Sequence, residues 1–214
     1  MNILSKASIG LIVATSLIGC GKGKVDNAVE GAKNVVKEHK MMGTWESKCK
    51  ESKILGSSMK EFYKFSGNSF IKTSEFAATK DCTEPSARMQ YEGTFKVADK
   101  SDKVDDARNI DMEYKTAILL PFTKTGVDLL NAIHFCGVTD WQVGKKHDLT
   151  VPSVATLCPV SNMPMKRYDI VTVEDKKLLL GVGENDGLTT VDKRPLEFDR
   201  DEPFIESKHE LKAD

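Results

Sequence analysis

Five cysteines and four histidines are the residues of this chain best suited to cross-linking, metal binding or nucleophilic attack. Cys20 stands alone near the start, while Cys49, Cys82, Cys136 and Cys158 are spread through the remainder. Zinc sites bring their ligands in close pairs, such as C-x-x-C or two histidines three to five residues apart. Neither spacing occurs here, so no metal is expected and two disulfides are the natural use of the four, with three pairings open to them. The hydrolase signatures G-x-S-x-G and H-E-x-x-H are absent. His134, two residues from Cys136, suits a capping or core histidine, since a Cys–His nucleophile would need a free thiolate. Glu184, Asp186 and Asp192 lie in GENDGLTTVDKR, which has calcium-type oxygens without EF-hand spacing and reads as a solvated turn. Neither a cofactor nor an enzymatic activity is expected.

The compartment decides what the cysteines do. Residues 1–19 carry one charge, Lys6, followed by an apolar run from Ile9 to Ile18. That run is shorter than the ~20 residues a membrane span needs. A basic start, a short apolar core and a small residue at its end read as a secretory signal, the competing reading being an ordinary buried helix. Ordinary cleavage sites have small residues at the last and third-last positions, and Leu17 does not fit. Leu17-Ile18-Gly19-Cys20 instead resembles the lipobox of bacterial lipoprotein precursors. The resemblance implies cleavage before Cys20, a diacylglycerol on its sulfur and a third acyl chain, such as palmitate, on its amine. Gly21, where inner-membrane retention uses aspartate, implies the outer membrane, with the leaflet left open. At ~0.8 kcal/mol per buried methylene, three chains would hold the protein permanently. In an exported protein the four remaining cysteines are expected to pair as nearest neighbours, Cys49 with Cys82 and Cys136 with Cys158. Each such loop contributes ~3.5 kcal/mol in the chain-entropy account.

Without residues 1–19 the chain has 30 basic and 32 acidic residues, a formal charge of −2. There is no block of five like charges, so nucleic acid is not an expected partner. Residues 20–42 form a lipidated tether, with Val25, Val29, Ala32 and Val36 at helical spacing as in a partly helical stalk or a weak coiled coil. From Gly43 the period changes to two. Met89, Tyr91, Phe95 and Val97 alternate with polar residues over 88–97, and Ile110, Met112, Tyr114, Thr116 and Ile118 do so over 109–118. One wet and one buried face is the antiparallel pattern. Further strands are expected at 44–51, 58–66, 69–77, 166–174, 177–183 and 195–205, with turns at Gly67-Asn68 and Asp175. A short helix is expected at 125–135, inside an insertion at about 122–164 that Cys136–Cys158 would staple. The fold class is therefore all-β with a short helix: about eight antiparallel strands in a barrel over 43–206, after a helical tether and before a polar tail at 207–214.

Gly43-x-Trp45 at the start of the first strand resembles the signature that opens lipocalins and their calycin relatives. The resemblance implies that Trp45 closes one end of the barrel beneath a basic residue from near the last strand, here Arg194 or Arg200. The expected helix interrupts the strand series, whereas in typical lipocalins it follows the last strand. In a lipocalin-like barrel Trp45, Tyr91, Phe95, Met112, Tyr114 and Ile118 point inward, where they either bind a ligand or fill the core. Two functions follow. One is a membrane-anchored carrier of a small apolar ligand. The other is a filled barrel acting as a protein-interaction or inhibitor module through the 122–164 insertion, marked by exposed Phe122, Leu129, Leu130 or Trp141.

Overall fold

The computed structural model describes residues 40–52, 58–150, 158, 160, 163–182 and 189–211. The expected signal segment, Cys20, the Val25–Val36 stripe, Glu184 and Asp186 lie outside these. The strands are β1 (Gly43–Glu46), β2 (Lys50–Glu51), β3 (Ser58–Ser66), β4 (Ser69–Ala77), β5 (Pro85–Lys100), β6 (Arg108–Pro121), β7 (His147–Asp148), β8 (Met165–Glu174), β9 (Lys177–Leu180) and β10 (Phe204–Glu206). The helix α1 spans Lys124–Ala132. Strands β1, β3, β4, β5, β6, β8, β9 and β10 each pair antiparallel with the next, and β10 pairs back onto β1. The result is a closed eight-stranded antiparallel barrel. Strands β2 and β7 are short additions beside β3 and β6.

The hairpins follow from residues that accept a left-handed backbone. Gly67 has φ +58° between β3 and β4, and Asp175 and Lys176 have φ +46° and +60° between β8 and β9. Positive φ at the first central residue, as at Gly67, or at both, as at Asp175 and Lys176, matches the twist of the flanking strands. The strand expected at 195–205 is reduced to β10, because Pro195 and Pro203 have no N–H for a ladder. Phe198 makes a single bridge to Gly181. Likewise the expected 44–51 strand divides into β1 and β2.

The alternation of β6 breaks once. Gly93 pairs with Tyr114 and Glu92 with Thr116, which leaves Lys115 as an extra residue in a bulge. One added residue moves every later side chain to the opposite face. Beyond the bulge Ala117 and Leu119, both fully buried, face inward opposite Tyr91 and Met89. Ile118 sits on the outer face opposite Gln90, so it is not an inward residue as the unbroken period predicted. Gly93 permits the bulge. A Cβ there would lie 2.0 Å from the carbonyl oxygen of Glu113 and 2.8 Å from the Phe70 ring.

One end of the barrel collects the two tight hairpins, the β5–β6 loop and the incoming chain. There Trp45 Nε1 donates to the Met41 carbonyl at 2.8 Å. Neither arginine expected over Trp45 is there. Arg194 lies over the Tyr168 ring and pairs with Asp111, and Arg200 lies over Phe198 and pairs with Glu174. Strands β6 and β8 offer them the carboxylates of Asp111 and Glu174, which outcompete an indole face for a guanidinium.

The other end carries the long connections and both disulfides, Cys49–Cys82 and Cys136–Cys158. The insertion between β6 and β8 folds over part of this end. Its Leu130, Phe135, Trp141, Leu149 and Val160 pack on the inward residues Phe76, Met89, Ala117 and Leu119. Thr123 caps α1 by accepting from Gly126 N. Asn131 clasps Trp141, its amide oxygen taking the Trp141 N–H and its amide nitrogen giving to the Trp141 carbonyl. The insertion thus borrows the barrel's core. Of the four residues that would mark an exposed contact surface, Leu130 and Trp141 are buried, Phe122 is half-buried under Arg88, and Leu129 is exposed.

Candidate functional site

Every second side chain of a barrel strand points inward, and here most of these are apolar or aromatic. Trp45, Phe95, Met112 and Tyr114 belong to one buried cluster, with Tyr91 packed against it. Their rings interlock: Phe65 meets Phe95 edge-on at 5.1 Å, Phe70 meets Tyr114 at 4.8 Å, and Tyr114 meets Tyr91 at 5.7 Å. These residues are brought together, with Ile118 left outside, and they fill the middle of the barrel.

Among the described residues, Glu61, Lys72, Arg167 and Asp169 carry charge at inward positions near the wide end of the barrel, and Arg108 does so at the hairpin end. Glu61 shares the inward face of β3 with Met59, Tyr63 and Phe65, and Lys72 shares that of β4 with Phe70 and Phe76. Arg167 and Asp169 are in phase with Met165 and Val171 on β8. Register fixes this: Tyr63 lies opposite Lys72, Met112 opposite Arg167 and Ile110 opposite Asp169. Isolated charges here would be costly, and each has a partner. Lys72 Nζ is 2.9 Å from Glu61 Oε1, and Lys50 Nζ is 3.0 Å from Glu61 Oε2. Arg167 donates through Nε and Nη2 to Asp169 Oδ2 at 3.1 and 2.9 Å. The other Asp169 oxygen accepts the N–H of Ile170 and of Gly181.

Glu61, Lys72 and Arg167 border a cleft of about 240 Å³, with Lys50, Asp199 and Glu202 also in its lining. It exists because the ring closes over so short a distance. β1 pairs with β3 over Gly43–Glu46, and β10 with β9 over Phe204–Ile205. Beyond that the wall parts, with β2 continuing one flank on β3 and the backbone of Glu197 and Asp199 continuing the other on β9. Among the described residues the gap is crossed by the ion pair Lys50–Glu202, at 2.7 Å. Tyr63, Leu180 and Phe204 complete the walls, Phe204 standing edge-on to Tyr63 at 5.3 Å.

Burial alone pushes the Glu61 carboxyl up, but Lys72 and Lys50 together pull it down to about 2. Arg167 and Lys72 are also disfavoured by burial, yet Asp169 and Glu61 respectively hold them above their ordinary values. Burial raises Tyr63 and Tyr91 to about 12 and Tyr114 further, with the Tyr63 and Tyr114 hydroxyls hydrogen-bonded to each other.

The signs follow by linkage. Glu61 is depressed in the folded chain, so its stabilisation is complete above about pH 4.5 and is lost as pH falls toward 2. Its size is about 3 kcal/mol. The tyrosines are raised, so theirs is complete below pH 10 and is lost as pH rises toward 12. Denaturant midpoints are expected to fall more steeply below pH 4.5 in the native protein than in Glu61→Gln. Equal slopes would remove Glu61 as the cause.

A second hollow, of about 220 Å³, lies at the hairpin end beside Met41, Val97, Arg108, Val171 and Val173. None of Tyr91, Phe95, Met112, Tyr114 and Ile118 lines either hollow. Sequence reasoning missed Glu61, Lys72, Arg167 and Asp169. The signal was there, since each falls in phase with the apolar members of its strand. Among the described residues no group of three or more His, Cys, Asp or Glu is placed to hold a metal. No protein-family model matches this chain, and no curated protein matches it.

Proposed function

We propose that this is an exported, lipid-anchored, lipocalin-like barrel that binds a small polar molecule in its charged cleft. The observation that carries the proposal is a half-buried lysine, Lys72, facing open space inside the barrel, bordered by Arg167 and Tyr63. An ammonium has three donors, and Glu61 takes one of them. Export and anchoring are supported by the Leu17–Cys20 segment and by two disulfides that an oxidising compartment would preserve. The expected apolar ligand has less room in the interior, which aromatic side chains fill, and its place is the hollow beside Val97, Val171 and Val173.

Two measurements test this. Mass spectrometry of membrane-extracted protein is expected to give an N-terminal peptide beginning at Cys20 and carrying acyl chains. An unmodified Cys20 overturns the anchor. Thermal-shift screening of the full chain in detergent, against charged and apolar small molecules, is expected to find charged compounds that protect the native protein and not Lys72→Met. Protection by apolar compounds alone, abolished by Val97→Trp, would move the site to the other hollow.

A further inference from the structure

We infer that the cleft selects a small zwitterion with an apolar body, of the size of a free α-amino acid. This rests on the cleft being the ligand site, and it follows from how charge is arranged along it. The lining carries three cations, Lys50, Lys72 and Arg167, and three anions, Glu61, Asp199 and Glu202, and Asp169 behind Arg167 neutralises that guanidinium. A dipolar ligand can meet both signs in this partly desolvated space and adds no net charge to it.

The charges are also ordered by depth. They run Lys72–Glu61–Lys50–Glu202, linked at 2.9, 3.0 and 2.7 Å. Lys72 and Glu61 form the deep end, with side chains 14% and 12% exposed, whereas those of Lys50 and Glu202 are 30% and 49% exposed at the mouth. A carboxylate entering the cleft meets Lys72, which can take a second acceptor without releasing Glu61. Arg167 lies beside it on the neighbouring wall. The ligand's ammonium then lies toward the mouth, where Glu202 and Asp199 are the carboxylates. Asp199 Oδ1 already accepts the Glu202 N–H at 3.0 Å, which fixes the two acidic groups on one turn of chain. The ion pair across the mouth is half-exposed, and such pairs yield readily to a competing charge. Between the two ends, Met59, Leu180 and Phe204 offer an apolar wall to the ligand's side chain.

The test is calorimetric titration of the full chain in detergent with individual free L-amino acids, each compared with its N-acetyl and its amide derivative. At least one amino acid with an apolar side chain is expected to bind. Its N-acetyl form, lacking the cation, and its amide, lacking the anion, are each expected to bind at least about tenfold more weakly. Glu202→Gln, at an exposed position, is expected to weaken the free amino acid about tenfold and to leave the N-acetyl form unchanged. Equal binding of all three forms overturns the zwitterion while leaving the cleft a ligand site. So does binding confined to dicarboxylates, polyamines or sugars. If no amino acid binds and no other charged compound does, the cleft itself is overturned as a ligand site.

Discussion

Glu61→Leu is expected to cost the barrel about 3–5 kcal/mol, because it strands the Lys72 ammonium inside. Lys50 keeps Glu202 as a partner and half-solvated surroundings, so the loss falls on Lys72. Its wall offers the Tyr63 ring, 5.6 Å away, but no second carboxylate within pairing distance among the described residues. The double variant Glu61→Leu, Lys72→Leu removes both charges and is expected to recover most of the stability, since well-packed apolar replacements of buried pairs are close to neutral. Urea unfolding of the four proteins of this cycle checks it. If the double variant is no more stable than Glu61→Leu, the two side chains act separately and the buried pair does not explain the loss. Recovery of stability without recovery of ligand binding would also separate the fold's need for the pair from the ligand's.

Gly93→Ala is expected to destabilise by about 3 kcal/mol or more, at the top of the overpacking range. For a domain of this size that is a fall in Tm of roughly 6–12 °C. The new methyl meets a backbone carbonyl, that of Glu113 at 2.0 Å, and a carbonyl in a sheet cannot rotate away as a side chain can. Gly126→Ala is the comparison. Its Cβ would lie 2.6 Å from the Ser86 carbonyl, and α1 can shift outward as a body, so a smaller loss is expected there. Thermal melts followed by circular dichroism decide the matter. A Gly93→Ala protein as stable as the native one would mean that the bulge relaxes and that β6 does not need the glycine.

The strands were legible because alternation is a local signal. Residues 58–66 and 69–77 are β3 and β4 to the residue, and 88–97 and 109–118 lie inside β5 and β6. The two disulfides join the cysteines nearest in sequence, as short loops and export imply. What could not be read was anything set by a partner strand. The extra residue at Lys115 reveals itself only through the register of β6 against β5, so Ile118 was assigned to the wrong face. The charged interior was hidden for a related reason. A lysine or glutamate between apolar neighbours reads as a surface position until phase is counted along the whole strand, as for Lys72 between Phe70 and Phe76. The insertion looked like an exposed excursion because it has no core of its own, and the partners of its apolar residues lie on β4, β5 and β6.

The shortness of the seam has a consequence for how the molecule comes apart. Trp45–Glu206 and Glu46–Ile205 are the paired positions that join the first strand to the last, against nine between β3 and β4. Such a ring is a long strip buckled at its ends, and the buckle is its cheapest part to undo. Undoing it presents two unpaired strand edges at once, β10 on one side and β1 on the other, each complementary to the other's counterpart in a second molecule. An edge of that kind is a template for strand exchange. Crowding such barrels side by side would therefore favour reciprocal exchange of the terminal strand, and the tail that follows β10 opposes it. Ser207 donates its N–H to the Thr44 carbonyl at 2.8 Å, and Leu211 is buried with its carbonyl held by Lys64. Those few residues past the last strand act as the latch that keeps each molecule closed on itself.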